Sequence, residues 1–118
     1  MILRAAVIFG LLAGAADAQP ASEADGAVLR GIDKISGQVY DIELRSGQTA
    51  DFERLRITLS SCRFPVGNPA GDAYAALKVR DAAQGDVLFE GWMIASAPAL
   101  SAMDHSRYDL WVMRCTTS

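Results

Sequence analysis

Val28–Leu44, VLRGIDKISGQVYDIEL, reads as two extended runs hinged on Ser36-Gly37. Glycine reaches positive φ without the Cβ clash other residues suffer. A Ser-Gly pair between two apolar-rich runs therefore predicts a β-hairpin, with strands over Val28–Ile35 and Gln38–Leu44. In the second run Tyr40, Ile42 and Leu44 alternate with Asp41 and Glu43. A period of two puts the apolar set on one face and the carboxylates on the other, which fits a half-buried strand and not the 3.6-residue period of a helix.

The same pattern continues toward the C-terminus. Ser46-Gly47-Gln48 turns the chain, and Leu55, Ile57 and Leu59 alternate with Arg54, Arg56 and Thr58 in a strand that delivers Cys62. Pro65, Gly67, Asn68, Pro69 and Gly71 make Arg63–Asp72 a predicted loop. Ala73–Val79 is a predicted strand with Leu77 and Val79 inward and Lys78 and Arg80 outward, followed by a turn at Gln84-Gly85-Asp86. Val87–Ile94 and Leu110–Met113 are apolar on successive positions. They are read as the central strands, with both faces covered or one face presented to a partner. Pro98–Met103 has room for a helical turn, with proline near its start. There is no internal repeat. The expected fold is all-β: a small antiparallel β-sandwich or barrel of six to seven strands, with one short helical turn and one disulfide.

Upstream, Met1–Ala18 reads as a secretory signal. Arg4 gives a positive start, Ala5–Ala16 is almost wholly apolar, and Ala16-Asp17-Ala18 supplies small residues for a cut before Gln19. The apolar run falls short of the ~20 residues a spanning helix needs, so no stable membrane insertion is expected after cleavage. Residues 19–26, QPASEADG, read as a mobile leader, and 27–118 as one domain. Export places that domain in the periplasm.

Composition narrows the function classes. A net charge of −3 without any basic run argues against nucleic acid, whose phosphates need clustered Lys and Arg. The two cysteines, Cys62 and Cys115, are an even count in a chain bound for an oxidising compartment, so one disulfide is expected. Closing a 53-residue separation stabilises a chain by about 4 kcal/mol in the chain-entropy picture. Redox-active cysteines usually share one short CxxC turn, which this spacing rules out.

Gly91–Cys115, GWMIASAPALSAMDHSRYDLWVMRC, resembles the hallmark of DUF2155 (domain of unknown function 2155), a family of small exported proteins of Gram-negative bacteria. Leu29–Lys34 (LRGIDK), Ser36-Gly37, Ser46-Gly47-Gln48 and the strand ending at Cys62 resemble it too, so the likeness spans the mature chain. Arg63–Asp72 departs from it, being shorter than the corresponding acidic, proline-bearing loop. The resemblance implies export and a paired Cys62 and Cys115, and supplies no activity.

His105 is the single histidine, flanked by Asp104 and Asp109 with Ser96, Ser101 and Ser106 nearby. A hydrolase triad is one reading, but no GxSxG elbow accompanies it. The simpler reading is a histidine that fixes its loop through backbone hydrogen bonds. One His, two oxidised Cys and scattered carboxylates do not make a zinc set, and Asp81–Asp86 lacks EF-hand spacing, so no metal or cofactor is expected.

Strand alternation sends Trp92 to the face opposite Met93, and Trp111 and Met113 to the face opposite Leu110 and Val112. An outward aromatic patch marks an interface, and core burial is the competing reading. Asp33, Asp41, Glu43, Asp51 and Glu53 read as a solvated face, with a charge-steered basic partner as the alternative. The expected function is a non-enzymatic module for a cell-envelope partner, binding through Trp92, Trp111, His105, Tyr108 and Asp109. A hydrolase built on Ser96 or Ser101 with His105 and Asp109, or an inhibitor of a wall-degrading enzyme, are the alternatives.

Overall fold

The computed structural model describes residues 20–117, so the signal Met1–Ala18 and its cut before Gln19 lie outside the described residues. Eight strands form among them: β1 (Ala21–Glu23), β2 (Gly26–Asp33), β3 (Val39–Arg45), β4 (Thr49–Phe52), β5 (Leu55–Pro65), β6 (Tyr74–Asp81), β7 (Val87–Ile94) and β8 (Tyr108–Thr116). One 3-10 turn, Pro98–Leu100, carries proline in its first positions, as expected for the helical turn in that stretch. The fold is all-β and antiparallel throughout.

The strands divide into two sheets. Three of them run in the order β3-β2-β8; the other five run β1-β5-β6-β7, with β4 also pairing β5. Strand β5 is long enough to carry two short neighbours end to end on one edge, β4 against Leu55–Thr58 and β1 against Arg63–Pro65. The sheets pack face to face through Leu29, Leu44, Leu110 and Val112 on one side and Ile57, Leu59, Leu77, Val79 and Met93 on the other. This is a sandwich, with inward residues set by the two-residue period. Cys62 of β5 and Cys115 of β8 are joined, with Cα atoms 5.7 Å apart, so the expected disulfide ties the two sheets together.

Four details differ from the sequence reading. Strand β1 falls inside the stretch read as a mobile leader: Ser22 pairs with Phe64 and Glu23 with Arg63, a cross-strand pairing that no local pattern announces. The same pairing extends β5 through Arg63–Pro65, residues read as loop. Strands β7 and β8 are edges, not centres; β5, β6 and β2 hold the middle positions. Finally, Asp33 leaves the solvated carboxylate face. It ends β2 pointing inward and is 1% exposed, whereas Asp41, Glu43 and Asp51 are exposed as expected.

Candidate functional site

The outer face of the five-stranded sheet carries the first candidate surface. Met93 turns into the core, so alternation along β7 sends Trp92 and Ile94 outward, and Trp92 is 43% exposed. Register places Ile94 beside Tyr74, Tyr74 beside Arg63, and Pro65 beside Ala21. Together Ala21, Arg63, Tyr74, Trp92 and Ile94 line a shallow depression of about 380 Å³. The Arg63 guanidinium lies 5.4 Å from the Trp92 ring centre, a cation–π contact, and 3.5 Å from the Glu23 carboxylate. An aromatic floor with one cation at its rim suits an apolar or aromatic group that also bears a polar or anionic end.

Trp111 lies on the outer face of the other sheet. Leu110 and Val112 point into the core, and Trp111 sits in register with Arg30, which donates to both oxygens of Asp41 at 2.8 and 3.2 Å. Its indole Nε1–H reaches the sulfur of Met113 at 3.2 Å. Met113 points outward by alternation and is the extra residue where the β2–β8 register shifts; this bulge resets the parity so that Cys115 turns inward. Both tryptophans face away from the core, as alternation requires. They do not share a patch, because they stand on outer faces of opposed sheets.

His105, Tyr108 and Asp109 belong to the segment that crosses from β7 to β8. Nδ1 of His105 accepts backbone N–H groups of Arg107 at 3.0 Å and Tyr108 at 3.2 Å, which fixes Nδ1 as the unprotonated nitrogen and folds the turn into β8. Lys34 ties that turn to the β2–β3 hairpin: its N–H donates to the Arg107 carbonyl at 2.8 Å and its ammonium to the His105 carbonyl. Asp109 lies 3.8 Å from the same ammonium. Tyr108 is 1% exposed, its ring edge-on to Phe52, so it packs as core and offers no surface. Burial raises its phenol pKa, and the neighbouring Glu53 carboxylate raises it further, although the hydroxyl has no full hydrogen bond.

Arg107 carries no mark in the local sequence, yet it organises this end. Its guanidinium donates to Asp33 Oδ2 at 3.0 and 3.3 Å and approaches Glu53 at 4.0 Å. The Arg107 guanidinium holds the Asp33 carboxyl well below the usual carboxylate range; partial desolvation opposes it, and the N–H groups of Ile35 and Ser36 reinforce it. An arginine in a loop gives no local sign of the carboxylate it will meet 74 positions away.

The imagined triad is not assembled. Ser96 gives its hydroxyl and its N–H to Asp72, Asp109 faces Lys34, and His105 spends its basic nitrogen on two backbone amides. Asp72 is drawn in opposite directions: burial raises its pKa, and the bonds from Ser96 and the Ala73 N–H outweigh that and lower it. No cluster of three or more metal-binding side chains occurs among the described residues.

These features define a small β-sandwich stapled by a disulfide, with one tryptophan on the outer face of each sheet, Trp92 exposed and Trp111 half-buried. The family model described as "Uncharacterized protein conserved in bacteria (DUF2155)" matches residues 27–115, and the chain belongs to that family. The match runs from β2 to the Cys115 half of the disulfide and leaves β1 outside. The chain is also similar to "Uncharacterized protein RP359" of Rickettsia prowazekii (strain Madrid E), 25% identical over 87 residues that cover 71% of this chain and 56% of the relative. It therefore spans little more than half of that protein's length. No solved structure matches the chain.

Proposed function

We propose that the protein is a periplasmic, non-enzymatic binding module that steadies a cell-envelope partner through the outer face of the five-stranded sheet around Trp92. The observation that carries this reading is the depression formed by Trp92, Tyr74, Ile94, Ala21 and the rim cation Arg63. A small domain that leaves a tryptophan and neighbouring apolar groups in water forgoes the stability that burying them gives, and contact with a partner recovers it. Export is supported by the signal-like first eighteen residues, by membership of a bacterial family and by the disulfide, which persists in oxidising compartments.

A photo-crosslinking amino acid at Tyr74, on the candidate face, is compared in intact cells with one at Asp41, on the opposite sheet. One discrete adduct from position 74, absent from position 41 and lost with Trp92→Ala, is the expected result. Adducts indifferent to Trp92→Ala would remove this face from the reading.

A further inference from the structure

Among the described residues, strand β7 ends its sheet with one long side unpaired, and its burial differs from that of its neighbour β6. In β6 every inward residue is buried; in β7 only Met93 is, while Leu88 and Phe89 stay partly open beside exposed Trp92. The edge is thus apolar on both faces, and only an added extended segment covers both at once.

The backbone shows which groups await a partner. Ala95 donates to the Ala73 carbonyl at 2.9 Å, so the alternation of an antiparallel ladder turns the backbone groups of Met93, Gly91 and Phe89 toward β6 and those of Ile94, Trp92 and Glu90 away. The Ile94 carbonyl is already taken by the Ala97 N–H at 3.2 Å. Both backbone groups of Glu90 and of Trp92 remain. The other edges are guarded in the usual ways: β1 and β4 are short, β3 alternates Asp41, Glu43 and Arg45, and β8 is bulged at Met113 and followed by exposed Arg114. No lysine or proline guards β7, and its own register shift, which leaves Leu88 as the extra residue, lies before the regular Phe89–Met93 stretch.

We propose that two copies of this chain pair antiparallel through β7 about a two-fold axis at Gly91. This goes beyond the partner-binding reading and stands without it. The axis sets Glu90 opposite the second copy's Trp92 in a hydrogen-bonded pair, and the reverse, so the two residues with free backbone groups satisfy each other in both copies. Phe89 then meets the second copy's Met93 on the inner face, which covers the partly open ring. Glu90, the one charge on the strand, has Lys78 at 4.0 Å on its other side and meets no like charge. Neighbouring registers fit worse. An axis at Glu90 opposes two carboxylates, and one at Trp92 pairs Glu90 with Ile94, whose carbonyl is spent. The second copy is thus favoured over an unrelated strand because the edge complements itself.

The test is the sedimentation mass of the disulfide-intact protein from about 1 μM to about 1 mM, since association follows mass action. The wild type is expected to shift from monomer to dimer. Trp92→Glu, which places two Glu-Glu pairs across the seam and leaves the introduced carboxylate near Arg63 in the monomer, is expected to stay monomeric. Adding Glu90→Lys to Trp92→Glu converts both pairs to Lys-Glu and is expected to restore the dimer. A wild type that is monomeric throughout, a Trp92→Glu variant that still dimerises, or a double variant without rescue each overturns the proposal. A monomer whose position-74 crosslink persists sinks this inference alone; a dimer without that crosslink sinks the partner reading alone.

Discussion

The loops of the β2–β3 and β6–β7 hairpins, Asp33-Lys-Ile-Ser-Gly-Gln38 and Asp81-Ala-Ala-Gln-Gly-Asp86, are built alike and used differently. In each, the aspartate N–H donates to the carbonyl five residues on, at 3.0 Å for Asp33 and 2.9 Å for Asp81, and the glycine N–H returns to the aspartate carbonyl, at 2.7 and 2.8 Å. In each, Oδ1 accepts the next two available amides: Ile35 and Ser36 in the first, Ala83 and Gln84 in the second. Even the docking matches, with Lys34 N–H on the Arg107 carbonyl and Ala82 N–H on the Arg54 carbonyl. The difference lies in Oδ2. That of Asp33 receives the Arg107 guanidinium in the core, while Asp81 stays partly exposed and capped only by its own loop. One turn motif thus serves as a local cap at one hairpin and as the anchor of the segment entering β8 at the other.

Removing the buried pair is the strongest way to break this likeness. Asp33→Ala strips two amides of their acceptor and leaves Arg107 half-buried without its partner, so Tm is expected to fall by roughly 10 °C or more by calorimetry. The pH dependence has a definite sign. The Asp33 carboxyl is held below its unfolded value of about 3.9, so its contribution is complete above that pH and is lost as pH falls below about 4 toward the folded value. The acid limb of the stability curve is expected to flatten in Asp33→Asn. An unchanged limb below pH ~4 means the pair does not govern acid unfolding.

Much of this architecture is legible in the chain, for reasons that differ by element. Gly37, Gly47 and Gly85 all take positive φ, so the turns are written where only glycine is comfortable. The inward residues of β3, β5 and β6 follow from their period of two, and the disulfide from an even count of two cysteines behind a signal-like first segment. Strands β1 and β4 are not legible: Ala21–Glu23 and Thr49–Phe52 are too short to show a period and exist because β5 offers them an edge. The edge positions of β7 and β8 are hidden too, since an apolar run reads alike whether a strand or open water lies beside it. Of the candidate site, the outward set of Trp92 and Trp111 is readable from alternation. Their separation onto opposed faces, the burial of Tyr108 and Asp33, and the role of Arg107 depend on sheet order and long-range packing, which leave no mark in local sequence.

The glycines sharpen the comparison from the side of sameness. Gly37 and Gly85 share φ +76°, and a Cβ at either meets nothing within 4 Å. Gly37→Ala and Gly85→Ala are therefore expected to lose about 1–2 kcal/mol each, the conformational penalty alone, and to agree within error in urea unfolding. A clear inequality means that one loop is strained by its tertiary contacts and that the backbones are not equivalent in energy.

Asp81→Ala should have the smallest effect, and its size decides what the motif contributes without a buried partner. Its carboxyl is drawn below the ordinary carboxylate value by the N–H groups of Gln84 and then Ala83, with partial burial opposing and the charge of Arg54 assisting weakly. Water reaches both amides once the side chain is cut back, so the loss is that of an exposed cap, and Tm is expected to fall by roughly 3 °C. Asp81→Asn keeps an oxygen acceptor and should recover most of it. A fall as large as that of Asp33→Ala would mean that the loop's own hydrogen bonds, and not the Arg107 contact, account for the stability at both hairpins. A fall near 3 °C instead assigns the excess at Asp33 to its tertiary partner, since the backbone bonds and Oδ1 caps of the two loops match and the extra bonds of the first, from Gln38 N–H to Ser36 Oγ and from the Lys34 ammonium to the His105 carbonyl, do not involve the Asp33 side chain.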